Sequence, residues 1–232
     1  MKTYIITGAS QGIGQAAAVK LSDEPGVSNI VLLARNEKNL LETKSKMNPK
    51  VNAKVIPCDL SDFDMIPDLI KSVYDEFGSI DGLINCAGYV DPQSLLDTTN
   101  ENFIKTYNVN VVSMFVIIRE CVKYMKGHPS KILNVASTAG ITPRPGWLAY
   151  ASSKAAVVSM SKTLTDELAE YGIKVYCISP GRCATALRRK LAPEEDPTTI
   201  MQPEHVAEVI ATLMSDDETC LDGQNIIVRQ KK

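Results

Sequence analysis

Tyr150 and Lys154 stand four positions apart in Tyr150-Ala151-Ser152-Ser153-Lys154, and Ser137 precedes the tyrosine by thirteen. Residues four apart on a helix share a face, so this phenol and this ammonium project into the same space. A phenol with pKa ~10 is a poor proton donor at neutrality and needs roughly 3 units of depression, about 4 kcal/mol. One ammonium about 4 Å away, at an effective dielectric of ~20, supplies about that much. The expected chemistry is general acid/base catalysis, in which Tyr150 exchanges the proton, Lys154 supports it and the Ser137 hydroxyl is a candidate to hold the reacting oxygen. Taken singly, each is an ordinary residue, a Tyr or Lys on an amphipathic helix or a Ser in a loop; the combination and its placement carry the assignment.

A second group lies near the start of the chain, in Thr7-Gly8-Ala9-Ser10-Gln11-Gly12-Ile13-Gly14. It follows an apolar run directly and opens a helical pattern through Ala16-Ala17-Ala18. A glycine loop between strand and helix lets backbone approach a pyrophosphate, which the N–H groups of the helix N-terminus then hold. Gly8, Ser10, Gln11, Gly12, Ile13 and Gly14 are therefore expected to bind a dinucleotide; the simpler alternative is a tight turn. About 20 residues on, where such folds contact the adenosine ribose, Ala34 offers no carboxylate and Arg35 offers a forked cation. Arg35 suits a 2′-phosphate, so NADP(H) is the expected cofactor and NAD(H) the alternative. The competing reading of Arg35 is a solvated surface charge, and Gln11 brings no basic side chain to the loop.

The elements that must position these groups alternate along the whole chain. Short apolar runs at 3–6, 29–34, 53–58, 82–86, 131–136, 174–178 and 225–228 predict seven strands, separated by helical patterns. Uniformly apolar Ile30-Val31-Leu32-Leu33 fits a strand covered on both faces. The expected fold class is α/β, a Rossmann-type doubly wound parallel sheet of about seven strands with helices on both faces. The stretch 150–171 lacks Gly and Pro and predicts one long helix, and Gln202-Pro203-Glu204 opens another. Residues 179–201, with four prolines and glycines, form the longest irregular stretch. No linker or repeat appears, so residues 1–232 are expected to form a single domain.

Several runs together resemble the short-chain dehydrogenase/reductase family: the spacing T-G-x-x-x-G-x-G, the pattern S…Y-x-x-x-K, and Asn85-Cys86-Ala87-Gly88, similar to that family's N-N-A-G. The resemblance spans residues 3 to about 228. It implies hydride transfer between a nicotinamide cofactor and a carbonyl or alcohol, with Ser137, Tyr150, Lys154 and Asn110 as the catalytic set. Asn110 matches the asparagine that kinks a helix and anchors a relay water; Asn108 competes for the role, and the 40-residue gap to Tyr150 fits Asn110. Lys154 would also grip the ribose. By the same resemblance Asp59 and Leu60 lie against adenine, although Asp59 could equally be a helix cap. Asn85, Ala87 and Gly88 lie along the cofactor, with Cys86 unreactive. Pro180, Gly181, Cys183 and Thr185, in a run that looks like P-G-x-V-x-T, hold the nicotinamide carboxamide. Residues 186–201 become a substrate lid, whose Arg188-Arg189-Lys190 run either attracts an anion or solvates a helix. Gly146-Trp147 is similar to the benzil and sepiapterin reductase branch, which implies a ketone or diketone substrate. Alternatives are an acyl-thioester ketoreductase, an NAD-linked alcohol dehydrogenase, or a non-enzymatic cofactor-binding redox sensor.

Composition sets the remaining bounds. With 44% hydrophobic and 22% charged residues a packed core is expected, and a net charge of -2 disfavours nucleic acid as a partner. Six cysteines without C-x-x-C pairs read as free thiols, and two distant histidines disfavour a metal site. No membrane-length apolar run or export signal is seen, so a cytoplasmic protein with no membrane partner is expected. Relatives of this kind form dimers and tetramers. The ending Val228-Arg229-Gln230-Lys231-Lys232 departs from the Asp-Gly-Gly common among them, leaving a homodimer as the expected assembly.

Overall fold

The computed structural model describes residues 1–230; Lys231 and Lys232 of that departing ending lie outside the described residues. Seven strands form one sheet: β1 (Lys2–Thr7), β2 (Val27–Ala34), β3 (Asn52–Pro57), β4 (Gly82–Asn85), β5 (Ser130–Val135), β6 (Ile173–Pro180) and β7 (Asn225–Val228). Their order is β3-β2-β1-β4-β5-β6-β7, and every pair is parallel. Between them run α1 (Gly12–Leu21), α2 (Glu37–Lys46), α3 (Ile66–Phe77), α4 (Asn100–Tyr107), α5 (Ser113–Met125), α6 (Leu148–Ala169), α7 (Ala186–Leu191) and α8 (Pro203–Met214).

The strand pattern explains the layering. Successive side chains alternate faces, so Ile5, Val31 and Leu33 enter one core cluster while Tyr4, Ile6, Ile30 and Leu32 enter the other. The first cluster is completed by Ile66, Leu69 and Val73 of α3, Ile117 and Cys121 of α5 and Val157 of α6. The second is completed by Ala17 and Leu21 of α1, Leu40 of α2 and Val206 and Ile210 of α8. A sheet covered on both faces has no use for polar alternation, which is why these strands read as continuous apolar runs.

Topology places the site. The chain builds outward from β1 through β2 to β3, then crosses back to lay β4 on the other side of β1. At such a reversal the loops leaving the carboxyl ends of the two strands diverge and open a crevice.

Two segments differ from expectation. The long helix begins at Leu148 rather than at Tyr150, with Ala151 N bonded to the Trp147 carbonyl. The stretch after β6 is not irregular. It contains α7, a 3-10 turn at Pro197–Thr199, and a parallel bridge between Cys183 and Met201. Glu195 ties it together by accepting from Arg182 and Arg188.

Candidate active site

A cleft of about 690 Å³ opens at the carboxyl edge of the sheet. Its floor is the loop after β1. Gly8 has a φ of 66°, and a Cβ there would lie 2.8 Å from the Ala87 backbone, so only glycine lets β1 and β4 close up. Thr7 secures the same junction, its Oγ accepting from Cys86 N and Ala87 N at 3.1 Å each. Beyond the loop, α1 begins at Gly12 after an extended Gln11. No side chain caps that helix and no acidic residue stands in its first turn. Uncapped N–H groups facing a cleft are what a pyrophosphate requires.

At one end the cleft is lined by Ala34, Arg35, Asp59 and Leu60. Asp59 is both a local cap and a cleft residue: its Oδ1 accepts from Ser61 N at 3.0 Å and from Ser61 Oγ at 2.5 Å. Arg35 and Ser61 hold its carboxyl below the usual range, the Ser61 bonds contributing most.

At the other end lie Ser137, Tyr150 and Lys154, with Ala87 and Gly88 between. Ser137 follows β5 directly. It starts a 3-10 turn (Thr138–Gly140) by accepting from Ala139 N at 3.1 Å. Tyr150 and Lys154 are 6% and 5% exposed, one helical turn apart on α6. Lys154 Nζ donates to the carbonyl of Val135 at 2.8 Å, and burial pushes its pKa down to about 8. Burial also pushes the Tyr150 phenol up, opposed by a hydrogen bond from Ser137 and by the charge of Arg188. The lysine is engaged by a main-chain carbonyl, and the groups that lower the phenol are Ser137 and Arg188.

One expectation is corrected. Asn85 does not line the cleft. It is the last residue of β4, 4% exposed, and its amide donates to Asn134 Oδ1 at 2.9 Å between the central strands. Asn110 lines a small cavity together with Lys154 rather than the main cleft. It sits in a π-helical segment (Asn108–Val112) that joins α4 to α5, the kink expected there. Its side chain accepts from Tyr89 N at 2.7 Å and donates to Tyr89 O at 3.0 Å and Ser153 Oγ at 2.9 Å. Its placement makes it a brace between the loop after β4 and α6. The sequence reading missed Ser153 as the other half of that brace. The signal was available, since a serine three positions after Tyr150 faces the same way and is fully buried.

The remaining candidates line the cleft as expected: Gly8, Ser10, Gln11, Gly12, Ile13 and Gly14 from the loop, and Pro180, Gly181, Cys183 and Thr185 after β6. Thr185 Oγ accepts from Arg188 N at 3.1 Å and so caps α7. Burial pushes the thiols of Cys86 and Cys183 up to about 12 each, which keeps both protonated. The 3-10 turn holding Ser137 packs on α6 with no room to spare. A Cβ on Gly140 would lie 2.6 Å from the Lys154 backbone. Gly140→Ala is expected to lower stability by about 1–3 kcal/mol and to reduce turnover by moving Ser137 away from Tyr150; thermal melts and steady-state rates check both.

A family model described as short chain dehydrogenase matches residues 2–196. The chain belongs to the short-chain dehydrogenase family. It is 33% identical to a 3-oxoacyl-acyl-carrier-protein reductase of Thermotoga maritima over 97% of this chain and 95% of that one. A short-chain type dehydrogenase/reductase from Mycobacterium marinum superposes with a TM-score of 0.90 at 29% identity, covering 98% and 94% of the two chains. An actinorhodin polyketide ketoreductase solved with NADPH gives 0.89 at 25% identity, covering 98% and 95%. Like the family, this short-chain dehydrogenase is an NAD(P)-dependent oxidoreductase acting on CH–OH and C=O groups. Among the described residues no helix is long and apolar enough to cross a membrane, and no cluster of three or more His, Cys, Asp or Glu could hold a metal ion.

Proposed function

We propose that this chain is an NADPH-dependent ketone reductase with Tyr150 as the acid. One observation carries the reading: the phenol of Tyr150, the ammonium of Lys154 and the hydroxyl of Ser137 line the same cleft as the uncapped start of α1. The donor set fits a dinucleotide from end to end. Gly8, Ser10 and Gly12–Gly14 would hold the pyrophosphate, Arg35 a 2′-phosphate, Asp59 and Leu60 the adenine, Lys154 the ribose, and Pro180, Gly181, Cys183 and Thr185 the carboxamide. Bound there, a reduced nicotinamide supplies the hydride to the carbonyl carbon. Ser137 Oγ and Tyr150 hold the carbonyl oxygen and fix its position, which supplies the proximity part of the rate. As the C=O π pair moves onto oxygen, Tyr150 delivers its proton to that oxygen and an alcohol leaves. Lys154 adds positive charge to the pocket where the alkoxide forms. Residues 186–201, folded on themselves through Glu195, act as the substrate lid.

The NADPH preference is supported by charge. Among the described residues Asp59 is the one carboxylate lining the cleft, and Arg35 supplies a cation at that same end where a 2′-phosphate would sit. Arg35→Ala is expected to weaken NADPH binding by about 10-fold or more while leaving NADH nearly unaffected, since a charge-assisted bond to phosphate is worth ~1.5–3 kcal/mol. Titration of nicotinamide fluorescence with both cofactors checks this, and equal losses for the two would remove the basis for the preference. The Thermotoga relative favours a second reading, an acyl-thioester ketoreductase. Assaying acetoacetyl thioesters beside simple ketones and diketones separates the two. Exposed Phe103, Ile104 and Phe115 on α4 and α5 support a homodimer.

A further inference from the structure

Among the described residues five cations line the cleft, against the single carboxylate of Asp59. Arg35 and Lys154 are accounted for by the cofactor in the reading above. Arg182 is held by Glu195 at 3.1 Å. Arg144 and Arg188 remain: Arg188 packs on Trp147, and Arg144 precedes that residue by one turn, its carbonyl accepting from Trp147 N at 3.0 Å. Arg188 lies over the Trp147 ring with its guanidinium carbon 5.8 Å from the centroid. Its Nε is taken by Glu195 at 2.6 Å, while its two terminal nitrogens have no hydrogen-bond partner among the described residues. Arg144 comes from the loop before α6 and makes no side-chain hydrogen bond or ion pair among the described residues. Around these two forks the wall is apolar: Val90, Ala139 and Tyr150 are buried together, with Trp147, Leu187 and Leu191 packed against them.

We propose that the substrate is an oxo acid, whose carboxylate is taken by Arg144 and Arg188 while its apolar body lies against Trp147, Leu187 and Leu191. The proposal rests on the ketone-reductase reading and narrows it. A guanidinium with free terminal nitrogens presents parallel donors that match a carboxylate, and two such arginines lining one cleft pair better with an anion than with a neutral group. A sugar or simple ketone in the same place would leave the two terminal nitrogens of Arg188 facing an apolar wall without an acceptor. Glu195 balances half of the local charge and holds Arg188 at the rim, so the arginine is in position before substrate arrives. The reaction adds one hydride to the ketone carbon and one proton from Tyr150 to its oxygen, giving the hydroxy acid; the carboxylate is unchanged.

The test is a set of matched pairs, each an oxo acid and its methyl ester, with aliphatic and aromatic bodies (pyruvate, acetoacetate, benzoylformate, benzoylacetate), assayed by NADPH oxidation. The kcat/KM ratio of acid to ester is expected to exceed about 10 for the best pair, mostly through KM, since charge-assisted bonds of ~1.5–3 kcal/mol are involved. In Arg144→Gln that ratio is expected to fall about 10-fold, and Arg144→Lys is expected to recover part of it by restoring the charge without the fork. Arg144 is exposed and bonded to no side chain, so neither variant is expected to disturb folding. A ratio near or below one for every pair, or a ratio unmoved by Arg144→Gln, overturns the oxo-acid proposal while leaving a reductase. Oxidation of NADPH by none of the acids, esters, ketones or thioesters overturns the reductase reading itself and this proposal with it.

Discussion

Tyr150→Phe is expected to lower kcat for carbonyl reduction by a factor of 10² to 10⁴ while NADPH still binds, because it removes the proton donor and little else. Tyr150 is 6% exposed and sits on α6 among Val90, Ala139 and Trp147, so a phenylalanine keeps its packing. The direction of the pKa shift matters to the size of the effect. Burial keeps the phenol protonated at neutrality, and the Ser137 hydrogen bond and Arg188 charge moderate that shift. A neutral phenol is the form that can donate, so reduction is favoured over a wide pH range. Single-turnover absorbance of the nicotinamide, with cofactor binding measured separately, distinguishes a lost proton from a lost site. Near-normal turnover in Tyr150→Phe would transfer the proton to some other group and end the assignment.

Lys154→Met is expected to cost activity by a comparable factor and, in the opposite sense, to raise the melting temperature. The lysine pKa is pushed from 10.5 to about 8 because a cation is held in a buried place. That gap corresponds to about 3 kcal/mol of folding free energy spent at neutral pH. Methionine removes the charge and fills similar volume, while the Val135 carbonyl loses its partner at a cost of ~1–3 kcal/mol. The net gain is of order 1 kcal/mol, or about 2–4 °C for a chain of this size. The pH dependence carries the same sign. Between about pH 8 and pH 10.5 the unfolded chain holds a proton on Lys154 that the folded chain has released, so the wild-type protein gains stability as pH rises through that window. The increment should vanish in Lys154→Met. Calorimetry of both proteins across the window checks it, and a variant melting well below wild type would mean the lysine is a structural prop and not a strained functional group.

How far the sequence alone carried this depends on the range of the interaction. Strands were legible to within a residue or two at most ends, because burial on both faces writes itself as Ile30-Val31-Leu32-Leu33. The i, i+4 pair Tyr150 and Lys154 was legible because helical geometry is local. What was not legible depended on which loops meet in space. Nothing near Lys154 announces that the Val135 carbonyl, nineteen residues earlier, will hold its ammonium. Asn85 looked like a cofactor contact because it precedes Ala87 and Gly88, but strand alternation turns it toward Asn134. Arg188 stood in a basic run that could be read as solvation; only the fold brings it over Trp147 from the far side of β6. The region after β6 looked irregular because its bridge from Cys183 to Met201 spans a gap that local patterns do not cover.

The reversal of strand order between β1 and β4 has an evolutionary side. The crevice exists because two main-chain paths part company there, before any particular side chain is chosen, and the hinge-free interior that produces it is assembled from interchangeable aliphatic groups. Residues that choose the reacting molecule, Arg144, Trp147 and Arg188, hang instead from connections after β5 and β6. Descendants of one ancestor could thus exchange what they reduce by rewriting two surface excursions, inheriting the means of reduction intact.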